Sequence, residues 1–289
     1  MKKNENNWKL QTLPFGDEMK NALQQQHHAA QYLALAGRHL IPQQPDDSNT
    51  NMEFIPETGM LVGNSLSNGM KIGLQLSNLK LVILDATNRS LKTISLNGKT
   101  KKQGFVELKR NLSALGIDTT SFTDQLHYEI PRNALDEGAV FSVKHEKFFI
   151  ENMIYRNNAK GILTEIALEI KNASAVKIWP HHFDTGSFVS FSKNEKGEVS
   201  QTIGLGLAIP DSMVSVPYFY LSFWSEKQKK DPVDFPSLEA GKWMMPVWNG
   251  AILDVSEIVK ASPANEQYQM VKSFFISGMN TVTSYLRNN

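Results

Sequence analysis

The sequence predicts an α+β protein built as two similar halves, each of which is a helix, a β-meander and a second helix. Long stretches with helical spacing alternate with groups of short apolar runs, tight-turn residues separate the runs, and this order occurs twice along the chain. We therefore expect antiparallel sheets covered by long helices. The predicted bounds are 1–116 for the first half, 117–140 for a linker and 141–289 for the second half.

The first helix is predicted over Asp17 to Leu40, where small apolar residues recur on one face and Pro42 ends the pattern. The opposite face carries polar and charged side chains, namely Gln24, His28, Gln31 and Arg38. Such a stripe is typical of a solvent-exposed face. The alternative is a helix covered on both sides, in which these groups, His28 and Arg38 among them, line a ligand pocket between the halves.

A β-meander and a helix complete the first half. The apolar runs are Met52 to Ile55, Met60 to Leu66, Lys71 to Leu76, Leu79 to Leu84 and Leu91 to Leu96. Asn68-Gly69 between two of these runs favours a tight hairpin turn. Helical spacing then predicts a helix from Gly104 to Leu115, with Gly116 placed as its stop.

The second half repeats this order after a linker that contains a short apolar strand near Leu126 to Ile130. A long helix is predicted from Ser142 to Ile170, with Gly161 as a candidate interruption, and a closing helix from Pro263 to Leu286. The predicted strands are Val176 to Trp179, Phe183 to Phe191, Ser200 to Ala208, Tyr218 to Trp224 and Trp243 to Val247.

An internal duplication would explain the repeated order. The segment from Met52 to Pro56 can be laid over Val176 to Pro180, with a helix at a similar distance upstream of each. The alternative is two unrelated sheets that both follow a helix and both break at a proline.

Composition excludes several classes of protein. Hydrophobic residues make up 41% of the 289 residues, and the formal charge is +1. These values exclude a disordered chain and provide no strong field for nucleic acid or an anionic membrane. The chain has 0 cysteines, so a metal would have to be bound by imidazole and carboxylate groups. Met1 to Asn7 lacks a following apolar stretch, so we expect no signal peptide and a cytoplasmic protein.

The segment from Trp179 to Asp184 is the strongest candidate for chemistry. In an extended strand, His182 and Asp184 would share one face. A histidine and a carboxylate at this spacing can ligate a divalent ion such as Zn, Mn or Fe, or the carboxylate can orient the imidazole as a base. The alternative is structural, with Asp184 bonded to His182 and the aromatic side chains in the core.

Aromatic residues on both faces predict a doubly buried strand at Tyr218 to Trp224. A core or a subunit interface accounts for this pattern. The alternative is an apolar ligand pocket floored by Tyr218 and Tyr220 and rimmed by His182 and Asp184.

Several segments together resemble a family of bacterial proteins to which no activity is assigned. They are Ala36-Gly37-Arg38-His39-Leu40, Asp46-Asp47-Ser48, Leu126-His127-Tyr128-Glu129-Ile130-Pro131, Trp179-Pro180-His181-His182-Phe183-Asp184 and Pro217-Tyr218-Phe219-Tyr220. The resemblance implies a bacterial cytoplasmic protein and assigns no catalytic residue.

Two functional hypotheses follow. In the first, the chain is a small-molecule-binding protein or a metal-assisted enzyme. His182 and Asp184 would be its catalytic or metal-binding residues, and Trp179 and His181 would contact the ligand. In the second, the chain is a non-catalytic protein that forms a homo-oligomer or another interaction, and the same residues are structural.

Overall fold

A computed structural model describes residues 8–227 and 235–288. Met1 to Asn7, on which the localisation prediction rests in part, lie outside the described residues. Contacts divide the chain into two compact units. The first unit comprises residues 16–154 and 177–183, and the described part of the second comprises 8–15, 155–176, 184–227 and 235–288. The sequence-based bounds stay a prediction beside this division.

The first unit combines helices with antiparallel strands. Its helices are α1 (Asp17–Leu40), α2 (Lys101–Ala114) and the beginning of α3 (Glu146–Leu168). Its strands are β1 (Met52–Ile55), β2 (Met60–Gly63), β3 (Lys71–Gln75), β4 (Lys80–Leu84), β5 (Ser90–Ser95) and β6 (Lys177–Trp179). Within this unit the strand order is β6-β1-β2-β3-β4-β5.

Alternation along these strands produces a core face and an outward face. Phe54, Leu61, Leu74 and Leu81 lie opposite one another on neighbouring strands, and all are buried. Helix α1 packs against β2 and β3, where Gly63 lies against the side chain of Leu33. Helix α2 begins at a capping box between Thr100 and Gln103, which explains why it starts before the predicted Gly104.

The second unit contains the rest of α3, the short helix α4 (Val255–Ile258) and α5 (Ala264–Arg287). Its strands are β7 (Asp184–Lys193), β8 (Val199–Ala208), β9 (Tyr218–Ser225), β10 (Lys242–Trp243) and β11 (Gly250–Asp254). They are ordered β10-β11-β9-β8-β7, and α5 packs against β9 and β11.

Two of the predicted strands are wrong in detail. The residues from Leu126 to Ile130 form no strand, because Tyr128 contacts α1 instead of pairing through its backbone. The strand predicted over Trp243 to Val247 ends at Trp243, and Pro246, which lacks a backbone donor, lies in the turn that follows. Strand β11 was not predicted. Gly161 does not interrupt α3.

The α+β class is confirmed in its coarse form, as a mixture of helices with antiparallel strands. The internal duplication and the predicted covering of both sheets by long helices stay predictions. Among residues 8–227 and 235–288, none of the helices combines the length and apolar content that a membrane crossing requires.

Gln26 provides a test of how α1 is fixed to its neighbours. Its side chain is fully buried, and Nε2 donates hydrogen bonds to the carbonyl oxygens of Leu76 and Phe149, both at 3.0 Å. Gln26→Leu would remove both of these buried hydrogen bonds. We expect it to lower the free energy of unfolding, measured in urea, by about 1–3 kcal/mol. Gln24→Leu, at a half-buried position on the same helix, should change it by less than about 0.5 kcal/mol.

Candidate functional site

The segment from Pro180 to Phe183 is a turn between β6 and β7, not an extended strand. Phe183 has a φ of 54°, in the left-handed region, and its N–H donates to the Trp179 carbonyl at 2.7 Å. The alternation that was predicted to put His182 and Asp184 on one face is therefore wrong. A catalytic or metal-binding role for the two residues stays a prediction.

Helix α1 fixes this turn through polar groups buried in the first unit. The Pro180 carbonyl oxygen accepts hydrogen bonds from His27 Nε2 at 2.8 Å and Gln31 Nε2 at 3.0 Å. A carbonyl only accepts, so His27 carries its proton on Nε2. The buried Phe183 ring stacks on the His27 imidazole, with ring centroids 4.9 Å apart. These contacts stabilise a backbone conformation that a bulky residue rarely adopts.

The turn places aromatic rings beside the segment predicted as a linker. The Tyr128 ring lies 5.8 Å from that of His181, which lies 6.4 Å from Trp179 and 4.4 Å from His182. We call these four residues the aromatic patch. The Tyr128 hydroxyl donates to Gln31 Oε1 at 2.7 Å, so α1 fixes both the turn and Tyr128.

A histidine–carboxylate pair borders the aromatic patch. His127 Nε2 lies 2.9 Å from Asp47 Oδ2, the two side chains are 31% and 34% exposed, and the rings of His127 and Tyr128 are 4.8 Å apart. The carboxylate accepts, so Nε2 carries the proton and Nδ1 of the neutral ring has a lone pair. Nδ1 has no hydrogen-bond partner within residues 8–227 and 235–288. The structure thus shows a histidine–carboxylate contact at His127 and Asp47, and the pairing predicted for His182 and Asp184 stays a prediction.

The polar stripe predicted on α1 is largely covered, so its interpretation as a solvent-exposed face is wrong for His28 and Gln31. His28 is 2% exposed, and its Nε2 lies 3.1 Å from the Pro131 carbonyl oxygen. Lys101 Nζ lies 3.3 Å from His28 Nδ1 and 2.6 Å from Asp136 Oδ1. Burial, followed by the charge of Lys101, lowers the pKa of His28. His28 therefore holds the 131–136 segment as a neutral ring. Arg38 is half-buried, and its predicted ligand contact stays a prediction.

In the second unit, Asp184 and the two predicted tyrosines lie together. The Tyr220 hydroxyl donates to Asp184 Oδ2, and the Tyr218 hydroxyl donates to Asp211 Oδ2, both at 2.6 Å. Burial and then the charge of Asp184 raise the pKa of Tyr220, and burial and then Asp211 raise that of Tyr218. Burial lowers the pKa of Arg156 to about 9, against the opposing charge of Asp184. The role of Tyr218 and Tyr220 as the floor of an apolar ligand pocket stays a prediction.

Within the described residues, the structure adds no third protein ligand to His182 and Asp184 for a metal ion. In the part of the chain that the structure describes, no group of three or more histidine, aspartate, glutamate or cysteine side chains is arranged to hold a metal ion. A site with only His182 and Asp184 as protein ligands stays a prediction.

The sequence assigned no role to His27, and His127 stood only within a segment of the family resemblance. The segments that carry the family resemblance already contain the Asp47–His127 pair, which we call the dyad, and this is the signal that could have indicated it. Asp47, His127 and the Trp179 to His182 turn come from three of them, and the first unit brings them together.

No protein-family model, curated protein or solved structure matches the chain.

The lowered pKa of His28 predicts an acid-sensitive contribution to stability. Because the folded protein favours the neutral ring, the contribution is present above the unfolded pKa of about 6.5 and is lost as pH falls below it. We expect wild type to lose more unfolding free energy than His28→Gln between about pH 7.5 and pH 5.5 in urea titrations. Equal losses in the two proteins would contradict this role. His145→Gln, at an exposed histidine, should behave as wild type does.

Gly206 tests the packing that holds Tyr220 against Asp184. Gly206 lies opposite Tyr220 in the sheet, and a Cβ there would lie 2.5 Å from Tyr220 Cζ. Gly206→Ala should displace the ring and lower the unfolding free energy by about 1–3 kcal/mol. Gly161→Ala is the control, since a Cβ meets nothing within 4 Å there. It should stabilise exposed helix by about 0.5–1 kcal/mol, and a similar gain at Gly206 would refute the packing argument.

Proposed function

We propose that this protein binds a small organic molecule on the aromatic patch and that the Asp47–His127 dyad accepts a proton from the ligand or from a water molecule beside it. The observation that carries the proposal is the 2.9 Å contact between Asp47 Oδ2 and His127 Nε2. This contact fixes the imidazole so that Nδ1 has a lone pair available for a proton.

The ligand-binding part rests on the chemistry of the patch. Tyr128, Trp179 and His181 offer ring faces and edges to a planar group, and aromatic pairs stabilise by about 0.5–1.5 kcal/mol beyond their buried area. These side chains are held from behind by α1, through Tyr128 to Gln31 and through Pro180 to His27. A site whose residues are fixed in advance loses less entropy when a ligand binds.

This proposal keeps Trp179 and His181 as ligand contacts and assigns the base to His127. The reaction class it favours is hydrolysis or proton abstraction, in which an oriented imidazole accepts a proton. The alternative is an oligomeric or interaction protein in which the dyad only fixes the 117–140 segment.

The proposal is tested with p-nitrophenyl acetate, an activated planar ester whose hydrolysis reports an accessible imidazole base. We expect His127→Ala to reduce kcat/KM by about tenfold or more, and Asp47→Asn to reduce it less, because the imidazole remains but is no longer oriented by a carboxylate. Trp179→Ala should raise KM. His145→Ala and Trp224→Ala are matched controls at exposed positions and should leave both constants within about twofold.

The structural alternative makes the opposite prediction. His127→Ala would then lower the unfolding free energy and leave ester hydrolysis equal to that of the His145→Ala control. That result, in protein whose circular dichroism is unchanged, would overturn the proposed function.

A further inference from the structure

A cavity of about 430 Å³ lies on the outward face of the sheet in the first unit. It shares no lining residue with the aromatic patch or the dyad. Its volume is within the range of about 300–1,000 Å³ that is typical of small-molecule sites. The sequence analysis singled out none of the residues that line it.

The strand register shows which positions share the face on which the cavity lies. Glu53 lies opposite Val62, Val62 opposite Gly73, and Gly73 opposite Val82, so these positions share one face. Gly73 contributes no side chain, and the Met60 sulfur occupies the place that a Cβ at Gly73 would take. Of the residues in this row, Glu53 and Val62 line the cavity.

The floor of the cavity is apolar. Met60 and Leu84 are 8% and 5% exposed and belong, with Val82, to a small buried cluster on this face. Val62 packs against the same cluster and also lines the cavity. An apolar ligand body would remove the remaining exposed apolar area from water, which stabilises a complex by about 25 cal/mol per Å².

Three charged side chains line the cavity, namely the ammonium groups of Lys71 and Lys177 and the carboxylate of Glu53. Lys71 Nζ donates to the neutral Asn88 Oδ1 at 3.1 Å, and neither Lys71 nor Lys177 forms an ion pair within the described residues. Because the two ammonium groups outnumber the single carboxylate, this lining over an apolar floor favours a ligand that combines negative charge with hydrocarbon.

We propose that this cavity binds a small organic anion, a carboxylate or a phosphate ester, whose apolar body lies on Met60, Val62 and Leu84 and whose charge is neutralised by Lys71, with Lys177 as a second ammonium on the rim. This site is independent of the proposed proton-transfer site, and its loss would leave that function intact.

The test is isothermal titration of the full chain with hexanoate, hexyl phosphate, hexanol and inorganic phosphate. We expect at least one of the hexyl anions to bind, and to bind about tenfold more tightly than hexanol or inorganic phosphate. Hexanol lacks the negative charge, and inorganic phosphate lacks the apolar body. The tighter of hexanoate and hexyl phosphate identifies the preferred head group. Equal binding of hexanol, or no binding of either hexyl anion, would overturn the proposal.

Variants separate the cavity from general surface charge. Lys71→Ala should weaken binding by about tenfold, and Val62→Phe, which fills the floor, should abolish it. Lys80→Ala removes an exposed lysine from neighbouring β4 and should have no effect. Equal weakening in Lys71→Ala and Lys80→Ala would refute a specific site. His127→Ala should bind the anion as wild type does, so failure here is distinguishable from failure of the proposed function. Thermal unfolding verifies that each variant is folded.

Discussion

The first unit depends on the need to satisfy polar groups that α1 buries. Gln26, His27, His28 and Gln31 lie within little more than one turn of helix, and all are buried. A buried polar group without a partner costs about 1–3 kcal/mol. The carbonyl oxygens of Leu76, Pro131 and Pro180 supply the partners, so three segments that are distant in sequence must end beside this helix. The polar residues thus specify the arrangement of the unit as much as its apolar core does.

The turn at Pro180 shows what this constraint achieves. A left-handed Phe183 is a strained conformation, of the kind that costs about 1–3 kcal/mol. This cost is offset by the stacking of Phe183 on His27 and by the two hydrogen bonds that the Pro180 carbonyl oxygen accepts. Because the turn is fixed on its buried side, the rings of His181 and Trp179 are held on its other side next to Tyr128. The same contacts that stabilise the turn therefore orient the aromatic patch.

Periodicity predicted most helices and strands, because it reports which face of an element is apolar. It failed where the outcome depends on what covers that face. The stripe containing His28 and Gln31 has the pattern of an exposed surface, yet the 117–140 segment lies on it. Likewise, no spacing rule indicates a positive φ at a bulky Phe183, and the pairing of His127 with Asp47 spans 80 residues. The chemistry of an oriented imidazole was predictable, but its position was not.

The hydrogen-bond partners of the carboxylates distinguish the two units. Asp184 and Asp211 each accept a hydrogen bond from a tyrosine hydroxyl whose pKa is raised, so that hydroxyl remains a proton donor. Tyrosines held in this way stabilise the sheet and have no proton to exchange near neutral pH. Asp47 instead orients an imidazole that is partly exposed. Histidine is the side chain whose ordinary titration lies between pH 5 and 8. The two units therefore differ in what their carboxylates contact, since the partner of Asp47 in the first unit is an imidazole and the partners of Asp184 and Asp211 in the second are tyrosine hydroxyls.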